Sequence, residues 1–124
     1  MSFVLVGLGG AAGSILRYVV GLACAGSTFP YATLIVNSVG CFGLGLALPA
    51  LDRTPLLSPE MRLLVVVGFL GGFTTFSAFG YESAVLIRTS GALAFVNICA
   101  NVVLGVAAVF LGRMVAWACG SALG

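Results

Sequence analysis

The apolar segment that decides the fold reads GFLGGFTTFSAF from Gly68 to Phe79. Paired glycines, two threonines and a serine occupy the middle of a stretch that Arg62 and Arg88 bracket and whose midpoint is Thr75. In hydrocarbon each unsatisfied backbone N–H or C=O costs several kcal/mol, so a helix breaks at that depth only where protein or a watery cavity receives the freed groups. Such breaks are typical of ion and substrate sites. We therefore expect a third helix that is broken near its middle.

The composition excludes a soluble domain. Of the 124 residues, 61% are hydrophobic and 6% are charged, whereas soluble domains carry about 25% charged residues. Apolar runs of about 20 residues have the length of a membrane span. Four runs of this kind lie at about 3–24, 31–51, 62–88 and 91–117, with short polar or proline-bearing joints between them. The chain is predicted to be one all-α membrane domain over residues 1–124.

Charges, histidines and cysteines exclude several functions. Five arginines without a lysine give a net charge of +2 and no basic patch for nucleic acid. The chain has no histidine, no carboxylate pair and no CxxC spacing, so neither a zinc site nor an enzyme is indicated. The single cysteines are interpreted as small buried hydrophobes, and they are Cys24, Cys41, Cys99 and Cys119. The first apolar run has no basic region before it, so we expect a retained helix and not a signal peptide.

The arginines divide almost evenly between the two sides of the membrane. With four spans, Arg53, Arg62 and Arg113 share one side, and Arg17 and Arg88 the other. Orientation follows the bias of such residues in short loops, and here there is almost none. Either the chain inserts both ways, so that two opposed copies pair as an inverted repeat around a site near the midplane, or the balance is a chance of small numbers.

Three asparagines form two polar stripes within the spans. Asn37 lies in the second span, while Asn97 and Asn101 are four residues apart and share one face of the fourth. A lone asparagine in a membrane usually joins helices, but two facing stripes indicate a lined path. In the third span Phe76 and Phe79 share a face. Their rings either pack plainly or turn their positive edges toward an anion.

Charged and small residues inside the spans add further candidates. Glu82 is the only carboxylate within a span, and such groups are costly enough to be functional by default, although this one could also reach the interface. Arg17 either snorkels to the interface or draws anions into a vestibule. Gly9 and Gly13 are four apart and predict close packing of helix backbones.

Three segments together resemble the Fluc, or CrcB-type, fluoride channels. They read GAAGSILRY at 10–18, TLIVNSVG at 33–40 and GFLGGFTTFSAF at 68–79. The resemblance implies passive export of toxic cytoplasmic fluoride across the cell inner membrane. It also implies an antiparallel, dual-topology homodimer with two pores and a structural sodium ion (Na+) at its centre. Sodium ligands would be the backbone carbonyls of Gly71 and Thr74.

The same resemblance and the chemistry of the residues assign the pathway. The expected pore side chains are Asn37, Phe76, Ser77, Phe79, Asn97 and Asn101, with Arg17 at the vestibule and Glu82 as a gating or pathway carboxylate. The chain departs from the family at Ala78, where Thr or Ser is common. It departs again at Gly105, where a hydroxyl would be expected in the fourth span.

Two other functions suit a small four-span chain. A proton-coupled multidrug exporter, also built from dual-topology dimers, would need a carboxylate in the first span to exchange protons for cations, and that span has none. A purely structural subunit would leave the central break and the asparagine stripes without a purpose. The channel is the function that uses all of these features.

Overall fold

The computed structural model describes residues 1–53 and 59–121, and every regular element in these ranges is a helix. Four helical stretches are long and apolar enough to cross a membrane, and we call them the first to fourth spans: Ser2–Ala23, Tyr31–Asp52, Pro59–Thr89 and Gly91–Gly120. They confirm the all-helical fold and the four spans predicted from the sequence. Of the joint predicted at 52–60, residues 54–58 lie outside the described residues.

The third span differs from the others in being assembled from several helical pieces. The helices are α1 Ser2–Ala23, α2 Tyr31–Arg53, α3 Pro59–Met61, a π-helix Arg62–Leu70, α4 Gly71–Phe73, α5 Phe76–Thr89 and α6 Gly91–Ser121. Three spans are thus single helices, which satisfy most of their backbone groups internally as hydrocarbon requires. The exception within α2 is Pro49, which has no amide hydrogen to donate. The π-helix was not predicted, because its residues RLLVVVGFL carry no pattern that separates a π-helix from an α-helix.

Glycines let α1 touch the backbone of the third span directly. A Cβ added to Gly13 would lie 2.8 Å from the amide nitrogen of Phe73, and one added to Gly72 would lie 2.9 Å from the Cα of Gly10. Real side chains do not approach backbone so closely, so only glycine fits at these points. The close packing predicted at Gly9 and Gly13 is found here, where both residues are buried.

The second and fourth spans form another close pair. A Cβ on Gly112 would lie 2.8 Å from the amide nitrogen of Leu46, and one on Gly45 would lie 2.9 Å from the carbonyl carbon of Val109. The π-helix and α4 pack mainly on α1, whereas α5 packs mainly on α6. The third span therefore packs on a different helix before and after the two residues that separate α4 from α5. The candidate functional site lies at this point.

Candidate functional site

The backbone leaves the helical conformation at two residues between α4 and α5. Thr74 has φ −81° and ψ 159°, and Thr75 has φ −153° and ψ 116°, so both are extended. The Thr75 hydroxyl caps α5 by accepting a hydrogen bond from the Ala78 amide at 3.2 Å, as N-cap threonines do. The Leu70 carbonyl keeps its i+4 donor, the Thr74 amide at 3.0 Å, whereas the Gly71 carbonyl loses its own, because the Thr75 amide donates to Asn37.

Asn37 of α2 replaces the helical partners that Thr75 lacks. Its Oδ1 accepts a hydrogen bond from the Thr75 amide at 2.9 Å, and its Nδ2 donates to the Thr75 carbonyl at 3.2 Å. Both polar groups of the extended residue are thereby satisfied by one side chain. In the hydrocarbon core of a membrane these hydrogen bonds are needed, because lipid offers the backbone groups no partner.

A chain of asparagine amides continues from Asn37 into the fourth span. Asn37 Nδ2 donates to Asn101 Oδ1 at 3.1 Å, and Asn101 Nδ2 donates to Asn97 Oδ1 at 3.0 Å. Asn97 Nδ2 in turn donates to the hydroxyl of Ser83 on α5 at 3.0 Å. Asn97 is 0% exposed and Asn101 is 9% exposed. The two stripes recognised in the sequence thus meet and form a single hydrogen-bonded row.

A cavity of about 270 Å³ opens beside the break. Its polar wall includes Asn37, Thr75 and Asn101, and its aromatic wall is formed by Phe76 and Phe79. The two rings have centroids 5.6 Å apart and are tilted by 57°, an edge-to-face type of arrangement. Phe76 is 82% exposed at the surface of the chain. The cavity therefore has one uncharged polar wall and one aromatic wall.

Arg17 and Glu82 line a second cavity of about 240 Å³, together with Thr33 and Thr75. The Arg17 guanidinium donates to the Thr74 carbonyl at 3.4 Å. Glu82 accepts a hydrogen bond from the Thr33 hydroxyl at 2.8 Å, while its Oε2 is buried without a hydrogen-bond partner. One positive and one negative side chain therefore face the same space next to the break.

The remaining predicted residues lie close to the break but outside the walls of the first cavity. Ser77 is exposed, and its hydroxyl lies 3.3 Å from that of Thr75. Gly71 is also exposed. The amide that would pair with the Gly71 carbonyl in a continuous helix belongs to Thr75, and it donates to Asn37 instead.

Sequence reasoning missed several polar residues that the structure brings to the site. Thr33 lies four residues before Asn37, and Ser83 lies four residues after Phe79. Residues four apart share a helix face, so both lie on the faces that carry predicted pore residues. Cys41, which the sequence predicts to be a small buried hydrophobe, is half-buried, lines the first cavity and lies near Gly105 of α6. Its spacing of four from Asn37 was the available signal.

Four apolar spans and a polar cavity at mid-span define a multi-pass membrane protein. The model of the family described as "CrcB-like protein, Camphor Resistance (CrcB)" matches residues 4–113. The chain therefore belongs to the CrcB family.

Curated relatives agree with this family. One from Solibacter usitatus is 42% identical over 120 residues, covering 94% of this chain and 98% of the relative. One from Rhizobium johnstonii is 48% identical over 116 residues, covering 90% and 93%. One from Chlorobaculum tepidum is 46% identical over 115 residues, covering 90% and 91%. Each of the three is named "Fluoride-specific ion channel FluC", which is the name of a channel and not of an enzyme.

Proposed function

We propose that the chain is a fluoride-selective channel that lets fluoride leave the cell passively. The observation that carries this proposal is the cavity at the break, where Asn37 and Asn101 face Phe76 and Phe79. It occurs in a chain whose relatives are named as fluoride-specific channels. Fluoride that enters a cell as the neutral acid ionises inside, and a passive pore is sufficient to release it.

The chemistry of these walls suits a small, strongly hydrated anion. A pore must replace the water around such an ion with several hydrogen-bond donors, yet bind it weakly enough for the ion to leave. The amides of Asn37 and Asn101 and the hydroxyl of Ser77 are neutral groups that can donate. Both Nδ2 hydrogens of Asn37 and of Asn101 are bonded within the chain, so either amide would exchange a protein acceptor for the passing anion. The ring edges of Phe76 and Phe79 add partial positive charge without a full charge. A fixed ammonium group at this point would hold the anion too tightly.

The second cavity supplies the approach to this path. Arg17 places a positive charge beside it and would raise the local concentration of anions at its mouth. Glu82 lies in the same cavity with Thr33 as a hydrogen-bond donor. We assign Arg17 to the vestibule and Glu82 to the pathway, where its negative charge would keep anions from settling beside the arginine.

Two copies inserted in opposite directions would complete the site. The first cavity opens at the surface of a single chain, where Phe76 is 82% exposed, and polar groups at membrane depth require cover by protein. The nearly balanced arginines allow both orientations. An antiparallel homodimer with one pore for each copy follows, and it has the symmetry that larger transporters build from inverted repeats.

Sodium fits the carbonyl oxygens that the break leaves free. Gly71 has lost its helical donor to Asn37, and it is exposed at the surface where a second copy would meet it. The Thr74 carbonyl accepts one long bond from Arg17 and retains a second lone pair. Unwound carbonyls and helix C-termini are the groups that coordinate sodium in other membrane proteins. A bound sodium ion would supply positive charge near the path without lining it.

Sodium should stabilise the assembled protein. In sodium buffer we expect a higher unfolding midpoint and faster fluoride efflux than in N-methylglucamine buffer of the same ionic strength. A ligand present at 100 times its dissociation constant adds about 2.7 kcal/mol to the free energy of unfolding. The midpoint can be followed by the loss of the dimer peak in size-exclusion chromatography after heating. Equal midpoints in the two buffers would contradict the sodium site.

Fluoride efflux from liposomes tests the function itself. Purified protein in liposomes loaded with fluoride should release it rapidly without a proton gradient, and liposomes loaded with chloride should not release chloride. An ion-selective electrode measures both. We expect Phe76→Ile and Phe79→Ile each to slow release about tenfold, the equivalent of about 1.4 kcal/mol in the barrier, while the dimer stays assembled.

A phenylalanine away from the path provides the matched control for this experiment. Phe95 on α6 is 69% exposed and does not line the cavity, so Phe95→Ile should conduct like the wild type. Cation movement coupled to protons would instead support the multidrug exporter. Normal fluoride release by both Phe76 and Phe79 variants would remove the role of the rings.

A further inference from the structure

Ser83 lies outside the cavity but closes the row of asparagine amides. It is 6% exposed on α5, and its hydroxyl donates to the Phe79 carbonyl at 2.7 Å while it accepts from Asn97. We propose that Ser83 is a positioning residue that holds the Asn97 amide in place and thereby supports Asn101 at the wall of the ion path. This inference rests on the proposed channel function.

The orientation of the row can be worked out from the break. The Thr75 amide can only donate, so the atom of Asn37 that faces it must be Oδ1. Asn37 therefore directs Nδ2 toward Asn101, and the Oδ1 of Asn101 accepts the hydrogen bond. Asn101 is left with Nδ2 toward Asn97. Backbone groups that can act in only one sense thus decide the assignment of each amide oxygen and nitrogen.

The same orientation follows independently from the other end of the row. The Phe79 carbonyl can only accept, so the Ser83 proton is committed to it and the Ser83 oxygen must accept from its other neighbour. Asn97 therefore presents Nδ2 to Ser83 and keeps Oδ1 for Asn101. Every donor in the row points from Asn37 toward Ser83. Two backbone anchors, at Thr75 and at Phe79, hold one direction.

Loss of the Ser83 hydroxyl would disturb the cavity at a distance. Asn97 is 0% exposed, so its Nδ2 would be left buried without that acceptor, which is costly. If the Asn97 amide turned over to find another acceptor, its Nδ2 would face the Nδ2 of Asn101, and two donors cannot pair. Asn101 cannot turn in response, because its Nδ2 also donates to the Asn97 backbone carbonyl at 3.0 Å and its Oδ1 accepts from Asn37. The two facing donors would push the side chains apart, and Asn101 lines the cavity. The position of the Asn101 amide at the wall of the path would change.

The test compares Ser83→Ala, Ser83→Thr and Ser38→Ala in fluoride-loaded and chloride-loaded liposomes. Ser83→Ala should slow fluoride release about tenfold and lower the ratio of fluoride to chloride release. Ser83→Thr should restore both, since a helical threonine hydroxyl also bonds the carbonyl four residues earlier. Ser38→Ala is the matched control, because the Ser38 hydroxyl is buried without a hydrogen-bond partner, and it should behave like the wild type.

A second variant separates positioning from folding. Ser83→Ala combined with Asn97→Leu removes both partners of the Ser83–Asn97 bond, and the Asn101 amide that loses Asn97 Oδ1 keeps its bond to the backbone carbonyl of residue 97. This protein should therefore assemble as a dimer but discriminate poorly between fluoride and chloride. Wild-type rate and selectivity in Ser83→Ala would overturn the inference. So would wild-type selectivity in the double variant, if Ser83→Ala alone failed to assemble. Absence of fluoride release by the wild type would overturn the proposed function and this inference with it. Normal release by the wild type, together with an unchanged rate and selectivity in Ser83→Ala, would overturn the inference alone.

Discussion

Asn37→Leu is expected to lower fluoride efflux about a hundredfold. The leucine has a similar size, but it can neither accept from the Thr75 amide nor donate to the Thr75 carbonyl and to Asn101. Buried polar groups left without partners cost about 1–3 kcal/mol each, and about 2.7 kcal/mol in the barrier corresponds to a hundredfold. Asn101, which also lines the cavity, would lose the donor to its Oδ1. Efflux from fluoride-loaded liposomes, measured at equal amounts of assembled dimer, gives the result.

Two companion variants make this experiment specific. Asn37→Asp keeps an acceptor for the Thr75 amide but loses both donors and adds negative charge to an anion path, so it should also conduct poorly. Val39→Ala lies on the same helix at a position that is 54% exposed, and it should conduct normally. If an assembled Asn37→Leu dimer released fluoride at the wild-type rate, the hydrogen bonds between Asn37 and Thr75 would not be needed for conduction.

Gly13→Ala should destabilise the fold by about 2 kcal/mol or more. The added methyl group would lie 2.8 Å from the Phe73 amide nitrogen and would also meet the Phe69 carbonyl. Neither atom can rotate away, because both belong to the backbone of the third span. The first span would have to move outward and lose its packing. Thermal unfolding, followed by size-exclusion chromatography or circular dichroism, measures the effect.

Gly21→Ala is the matched control for this prediction. Gly21 lies on the same helix, and a Cβ there would find no atom within 4 Å. Its unfolding midpoint should equal or slightly exceed that of the wild type, because alanine is the better helix former. Equal stability of the two variants would contradict the close approach of α1 and the third span.

The sequence predicted the helices of this molecule better than the contacts between them. Length, composition and the position of the arginines were sufficient for four helical spans, because a bilayer allows so few alternatives. The polar residues of the third span marked the place where the backbone becomes extended at Thr74 and Thr75. Asn37, Asn97 and Asn101 were recognised because an amide in the middle of an apolar helix is conspicuous.

What the sequence did not predict depends on which helices become neighbours. Ser83 matters because α5 packs on α6 and brings Asn97 within 3.0 Å. Thr33 matters because α2 brings it to Glu82. A serine or threonine in a helix is usually bonded to its own backbone, so neither residue is conspicuous by itself. Pairing between helices cannot be deduced from the periodicity of one helix.

Direct backbone contact between the first span and the third has a consequence for motion. Gly10 and Gly72 meet with no side chain between them, so the two segments cannot slide past each other without collision. Backbone contact of this kind leaves little room for relative movement, so we expect the changes that accompany a passing ion to be confined to side chains. Side-chain rotations are several orders of magnitude faster than collective helix movements. A protein this small would therefore work without rocking domains, at a pace set by small side-chain movements.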